Sequence, residues 1–209
     1  MKSFITTAAF ALLASTAMAD TITLYTSQPN ADAQRTVDAF MAANPGTEVE
    51  WVRDGTTKLM ARLRAEIEAG NPQPDVLLIA DTVTLEGMAQ EGLLTAYQSP
   101  EAAAYDAALY SADGYYHSTK LITTGIVYNT GVETAPTSWK DLSDDAIKGQ
   151  IAMPSPLYSG AALIHLATLT GDDSLGWNYY ENLAANEARA QGGNGGTFKA
   201  VAAGEKPYG

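Results

Sequence analysis

Cysteine is absent from the 209 residues, which excludes thiol catalysis, thiolate metal sites and disulfides together. Positive charge is scarce: 12 basic against 24 acidic side chains leave a formal charge of −12. Such a chain has little with which to neutralise a row of phosphates, so a nucleic-acid partner is excluded. No apolar run reaches the eighteen residues that a membrane-spanning helix needs, and no membrane-embedded segment is expected. Histidine occurs only at His117 and His165, and neither lies in a metal-binding pattern such as H-E-x-x-H. What is abundant is apolar: 46% hydrophobic against 17% charged residues describes a chain that buries a core. Its length suits one large domain or one and a half ordinary ones.

The first nineteen residues read as a secretion signal. Met1-Lys2 supplies a positive start, Phe4 to Leu13 is mostly apolar, and Ala17-Met18-Ala19 matches the small-x-small cleavage pattern. Asp20 is then the expected mature N-terminus. A cysteine-free mature chain suits an oxidising periplasm. With no cysteine at the cleavage site, no lipid anchor is expected and the chain should diffuse freely there.

From residue 22 strands and helices alternate. Ile22-Thr23-Leu24-Tyr25 is a short strand, and Ala33, Val37, Phe40 and Met41 recur at helical spacing over 31–43, with Asn30 as the expected cap. Asn44-Pro45-Gly46 stops that helix, and 48–52 alternates as a half-buried strand does. Leu59, Met60, Leu63 and Ile67 form one stripe of a helix over 58–69. Residues 75–80 read as a buried parallel strand, and 82–91 as a further helix. The order β-α-β-α-β-α implies a parallel sheet covered on both faces.

That architecture locates candidate binding residues. Ligands of open α/β sheets sit beyond the carboxyl ends of the strands, where loops enter helix N-termini. The loops here are Thr26-Ser27-Gln28, Gly55-Thr56-Thr57 and Asp81-Thr82. All carry hydroxyls, and a helix start holds an anion through free N–H groups and its dipole. The same residues also make ordinary helix caps, and at this level both roles stay open.

Residues 115–130 read as an extended, β-rich passage that suits a crossing between two lobes, with Thr124 in its middle as a candidate contact. A short helix is expected from Trp139, a strand over 150–153, and helices over 161–169 and 172–185. Ser159-Gly160-Ala161 then forms another hydroxyl-bearing loop at a helix start. The glycine-rich stretch 192–196, with Asn194 and Gly195, reads as a tight turn or a main-chain contact to a ligand, ahead of a helix over 197–203. A strand is expected to be starting in the last residues.

Catalytic constellations are missing. Ser159 lacks the glycine two residues earlier that a nucleophile elbow needs, because position 157 is Leu. The dinucleotide pattern after Gly193-Asn194-Gly195 fails at Phe198. His165, among Leu163, Ile164 and Leu166, reads as a core histidine. Asp144-Asp145 and Asp172-Asp173 read as helix-start carboxylates rather than a Ca²⁺ site. Tyr115-Tyr116 and Tyr179-Tyr180 read as packing residues.

Taken in order, the secretion signal, Ile22 to Ser27, Pro74-Asp75-Val76, Glu91-Gly92-Leu93-Leu94, Val127-Tyr128-Asn129-Thr130, Pro136-Thr137-Ser138-Trp139 with Asp141-Leu142, and Gly204-Glu205 resemble extracellular solute-binding proteins of ABC importers. The similarity is to the ferric-ion, phosphonate and thiamine type. It implies a two-lobed type II α/β fold with mainly parallel sheets. One lobe is expected over 20–120, and a hinge crossover with an incomplete second lobe over 121–209. It also implies a periplasmic monomer with no cofactor and no catalytic residue, which takes a small polar or anionic ligand into an interlobe cleft and docks on a membrane permease. Family members are longer by about a hundred residues, so the chain is expected to be a fragment that does not close on its ligand.

Ferric-binding relatives carry a metal-ligating His after the first strand and a Glu after the Asp-Val strand. Aligned on those strands, this sequence has Pro29 and Ala80, neither of which can coordinate Fe³⁺. The tyrosine pair of those relatives falls past Gly204-Glu205, beyond residue 209. The resemblance therefore implies a phosphonate, phosphate ester or other small oxyanion, with a ferric-ion protein proper as the alternative. Asp81 is expected either to pair with a ligand amine or to cap the helix after it. No lysine or arginine sits in the candidate loops. From another class, a secreted α/β hydrolase remains the rival reading.

Overall fold

The computed structural model describes residues 20–209, so the expected secretion signal lies outside the described residues. β1 (Asp20–Thr26), β2 (Thr47–Arg53) and β3 (Val76–Leu78) form a parallel sheet in the order β2-β1-β3. Leu24 is paired with Trp51 on one side and Val76 on the other. The crossovers are α1 (Asn30–Ala43) and α2 (Thr56–Glu68), and α3 (Thr82–Gln90) follows β3. Leu24 and Tyr25 of the sheet are buried, as are Ala33 and Val37 of α1, Leu59 and Leu63 of α2, and Met88 of α3. Met60 and Ile67, the rest of the α2 stripe, are half-buried. The Tyr25 hydroxyl donates to Glu66 at 2.7 Å, and Arg62 lies 4.9 Å over the Tyr25 ring while donating to the same carboxylate. This cluster fixes the end of α2 to the sheet.

Two local expectations fail for identifiable reasons. Asn30 does not cap α1: the N-cap is Pro29, with no side-chain cap bond, and Asn30 is already helical. β3 is shorter than 75–80 because side chains take over at both ends. Asp75 accepts the Thr23 amide at 2.8 Å, and Ser27 Oγ accepts the Ala80 amide at 3.1 Å.

The second sheet pairs β4 (Ala152–Met153) with β5 (Arg189–Ala190) in parallel, and β5 has no counterpart in the sequence reading. Tyr208 bridges Ile151 in parallel and Tyr128 antiparallel, so the last residues do run as a strand. The β-rich passage expected over 115–130 is reduced to isolated bridges at Tyr110–His117 and Tyr128–Tyr208. α4 (Gly160–Thr170), α5 (Gly176–Ala185) and α6 (Asn194–Ala202) cover this sheet. Leu142, Ile151, Leu169, Tyr179, Leu183 and Tyr208 form its core. The helix expected from 172 begins at Gly176, because the Asp172 carboxylate accepts from the Ser174 amide and hydroxyl and holds a turn instead. The tight turn expected over 192–196 is also shorter. Gly193 is the extended N-cap, and Asn194, Gly195 and Gly196 make the first turn of α6.

Tyr179 and Tyr180 do pack. Tyr179 is buried, which pushes its phenol well above the ordinary range, and burial pushes Tyr180 up to about 12. Tyr180 and His165 Nδ1 are hydrogen-bonded at 3.0 Å, and the His165 ring lies edge-on to Trp139 at 4.7 Å. Burial lowers the His165 pKa, as suits a core histidine. Asp144 accepts the Ala146 amide at 2.9 Å, a capping role like that of Asp172.

Asp141 anchors the turn that opens the second sheet's helical cover. Its carboxylate accepts from the amides of Thr137 at 2.7 Å and Ser138 at 3.0 Å, and from both hydroxyls. These bonds hold its pKa at about 2, below the ordinary 3.8. The carboxylate therefore adds stability that is full above about pH 4 and is lost as the pH falls toward 2. Thermal melts of Asp141→Asn against the parent should differ most above pH 4 and converge near pH 2. A difference that is constant across this range would refute the assignment.

Candidate ligand-binding site

The carboxyl ends of the first sheet face the β4–α4 loop across a cleft of about 760 Å³. Ser27 and Gln28 line it after β1, Gly55 and Thr56 after β2, and Asp81 and Thr82 after β3. From the opposite wall come Ser159, Gly160 and Ala161 at the start of α4, and Asn194 and Gly195 at the start of α6. Helices α2, α3, α4 and α6 thus all turn their N-terminal ends to one space, where unpaired amides and dipoles favour an anion. The amides of Gly160 and Ala161 find no acceptor among the described residues. Thr56 Oγ1 and His117 Nε2, both from cleft-lining residues, are buried without a hydrogen-bond partner.

The walls touch at one end. Thr57 donates from its hydroxyl to the Pro156 carbonyl at 3.2 Å and from its amide to the Tyr158 carbonyl at 3.4 Å. Arg53 donates to the Tyr158 hydroxyl at 3.1 Å, and Lys58 lies 5.4 Å over the same ring. This contact forms even though the second lobe is expected to be incomplete. Glycine makes it possible: a Cβ on Gly55 would lie 2.2 Å from the Tyr158 carbonyl oxygen, and one on Gly160 would lie 2.9 Å from Thr56 Oγ1.

Three of the expected contact residues lie elsewhere. Thr26 is fully buried, its hydroxyl spent on the Leu78 carbonyl at 3.1 Å. Thr57 is used in the contact between the walls. Thr124 lines a separate apolar pocket of about 410 Å³ against the second sheet. Asp81 both lines the cleft and caps α3, accepting the Thr84 amide at 3.1 Å and the Thr84 hydroxyl. Sequence reasoning missed the cations. Arg53, Lys120 and Lys199 all line the cleft, from the last residue of β2, the crossing segment and α6. Arg53 was findable, since it directly precedes the Asp54-Gly55-Thr56 turn at the sheet's carboxyl edge. Lys199 and Lys120 carry no such local signal. Pro29 and Ala80 also line the cleft and bring no donor to it. Among the described residues, no cluster of three His, Asp or Glu is placed to hold a metal ion.

Gly55 has φ −65° and ψ 148°, which alanine adopts freely, so a Gly55→Ala change conflicts only with the opposite wall. The variant should keep its far-UV circular dichroism while small-angle scattering shows a larger radius of gyration. An unchanged radius would show that the two walls do not meet in solution.

The comparisons agree with this geometry. A probable ABC transporter periplasmic-binding protein of Sinorhizobium fredii is 28% identical over 204 residues, covering 90% of this chain and 56% of that protein. A putative 2-aminoethylphosphonate-binding periplasmic protein of Salmonella typhimurium is 30% identical over 172 residues, covering 80% of this chain and 49% of that one. The chain therefore spans about half the length of these curated relatives. The periplasmic binding protein AfuA of Actinobacillus pleuropneumoniae, solved with fructose-6-phosphate, superposes with a TM-score of 0.75 at 24% identity, covering 91% of this chain and 62% of that one. Iron-bound HitA of Pseudomonas aeruginosa gives a TM-score of 0.69 at 23% identity, covering 90% and 61%. These structural likenesses identify the type II periplasmic-binding-protein fold. The model of the bacterial extracellular solute-binding protein family matches residues 35–209, and the chain belongs to that family.

Proposed function

We propose that this chain is the solute-capturing component of an ABC importer, working in the periplasm, and that it holds a small oxyanion between its lobes for delivery to a membrane permease. One observation carries the reading: four helix N-termini from two sheets converge on one cleft. A phosphonate or phosphate ester fits this arrangement best. Its oxygens can accept from the first-turn amides, from Thr56 Oγ1 and from Arg53, Lys120 or Lys199. Asp81, buried on the same cleft, favours a ligand that also carries an amine, in keeping with the aminophosphonate named for the Salmonella relative.

Capture then works by closure. The ligand binds one wall, and the other adds contacts that exist only when the lobes meet, so the closed state is populated in proportion to that added affinity. No bond is made or broken. Ser159, the one serine a hydrolase reading would use, has its oxygen engaged by the Ala162 amide at 3.3 Å and by Asn194 at 3.4 Å. A ferric-ion role is disfavoured by Pro29 and Ala80, which occupy the cleft without a donor.

Thermal melts of the full chain with 2-aminoethylphosphonate, fructose-6-phosphate, inorganic phosphate, thiamine and Fe³⁺ test the reading. A true ligand at a hundred times Kd adds about 2.7 kcal/mol, which for a chain of this size raises Tm by roughly 5–10 °C. 2-Aminoethylphosphonate and fructose-6-phosphate should do this and Fe³⁺ should not. Stabilisation by Fe³⁺ alone, lost on replacing tyrosines, would overturn the oxyanion assignment, and turnover of any ester would overturn the binding role. Thr56→Val removes one donor from the cleft without changing its shape. It should weaken the oxyanion by about five- to tenfold in titration calorimetry.

A further inference from the structure

We propose that Tyr158 is a positioning residue that couples anion capture to closure: its hydroxyl holds the Arg53 guanidinium at the cleft only while the two walls meet. This rests on the oxyanion reading of the cleft, and adds to it the residue through which one wall acts on the ligand grip of the other. Tyr158 directly precedes Ser159, the N-cap of α4. Its ring packs against two further helix starts. A Cβ on Gly55, the N-cap of α2, would lie 2.7 Å from Tyr158 Cδ1, and one on Gly193, the N-cap of α6, would lie 3.0 Å from Cε1. Tyr158 thus stands where three of the converging helices begin.

Arg53 is shared between the walls. Its Nε donates to the Gln28 carbonyl at 2.9 Å on its own side, and its Nη1 donates to the Tyr158 hydroxyl at 3.1 Å across the gap. A guanidinium carries five N–H donors and two are spent here, so three are left without a partner among the described residues. Arg53, Gln28 and Tyr158 all line the cleft. The bond to Gln28 survives separation of the walls, because both residues belong to the first. The bond to Tyr158 does not. Held at Nε alone, the long side chain can still turn; a second anchor fixes the plane of its fork, which a two-point grip on a phosphonate requires. The rest of the Tyr158 contact is independent of the hydroxyl. Lys58 lies over the ring face, and the Thr57 amide donates to the Tyr158 carbonyl at 3.4 Å. Tyr158→Phe therefore removes the anchor and keeps the packing.

The test compares Tyr158→Phe, Arg53→Met and the double variant in the full chain, by stopped-flow binding of 2-aminoethylphosphonate and fructose-6-phosphate. Tyr158→Phe should raise ligand dissociation by about five- to tenfold and leave association within about twofold. In the Arg53→Met background it should change neither. An unchanged dissociation rate, or an equal rise in both backgrounds, would overturn the proposal, because Tyr158 would then act without Arg53. A second readout needs no ligand. The absence of cysteine allows a dye pair at Ala39→Cys on α1 and Glu181→Cys on α5, both exposed, so that energy transfer reports closure. Tyr158→Phe should lower transfer in the ligand-free chain, again only when Arg53 is present. Should neither compound bind, the oxyanion reading fails, and transfer still decides the role of Tyr158: an unchanged value would refute it.

Discussion

The two walls of the cleft come closest at two glycines: Gly55 lies against the Tyr158 backbone, and Gly160 against the Thr56 side chain. At Gly55 and Gly160 no Cβ stands between the start of α2 and the β4–α4 loop. A side chain at Gly55 would force the loop away, its Cβ lying 2.2 Å from the Tyr158 carbonyl oxygen, whereas one at Gly160, 2.9 Å from Thr56 Oγ1, would need a smaller shift. With the loop displaced, Thr57 would lose its acceptors at Pro156 and Tyr158. A helix N-terminus in water is screened. Several such termini around a partly desolvated gap favour negative charge more strongly. The close packing thus sets the electrostatics.

Electrostatic contrast follows from composition. The chain as a whole carries −12, yet the cleft collects Arg53, Lys120 and Lys199 with four helix starts. Asp81 offsets part of this, with both its oxygens accepting from Thr84 at the α3 terminus it caps. The ends of α2, α4 and α6 are left to act on whatever enters. Field lines focus into such a cleft, and the proposed oxyanion would be drawn to it past an otherwise acidic surface.

Much of this was legible in the sequence because it depends on period and order. The first β-α-β-α-β-α stretch and the loops at its carboxyl edge follow from apolar spacing, and those loops supply Ser27, Gln28, Gly55, Thr56, Asp81 and Thr82. The errors share a cause: a local side-chain hydrogen bond overrode the pattern. Asp172 held Ser174 out of a helix, and Asp75 and Ser27 replaced ladder bonds around β3. Asn194 to Gly196 show the converse, since helix formation there tolerates two glycines once α6 is packed by Thr197 and Val201. The cations were illegible for a different reason. Lys199 and Lys120 reach the cleft only through tertiary placement of α6 and the crossing segment, which no spacing rule conveys. Thr124 has the opposite history: it lies on the crossing segment, but its part of that segment faces the second sheet.

The loop between β4 and α4 ties the two cavities together. Pro154 and Pro156 line the apolar pocket, while Tyr158, Ser159 and Gly160 line the cleft, and Asn194 borders both. The loop is held by the Ser155 amide on the Gly192 carbonyl at 3.0 Å and by the Tyr158 and Ser159 amides on the Ser155 carbonyl. With two prolines and these bonds it has little freedom to absorb a displacement within itself. The wall of the apolar pocket is therefore the same short segment that carries Tyr158 to Arg53 and Gly160 to Thr56. The apolar pocket and the cleft thus share one stiff wall, the segment from Pro154 to Gly160.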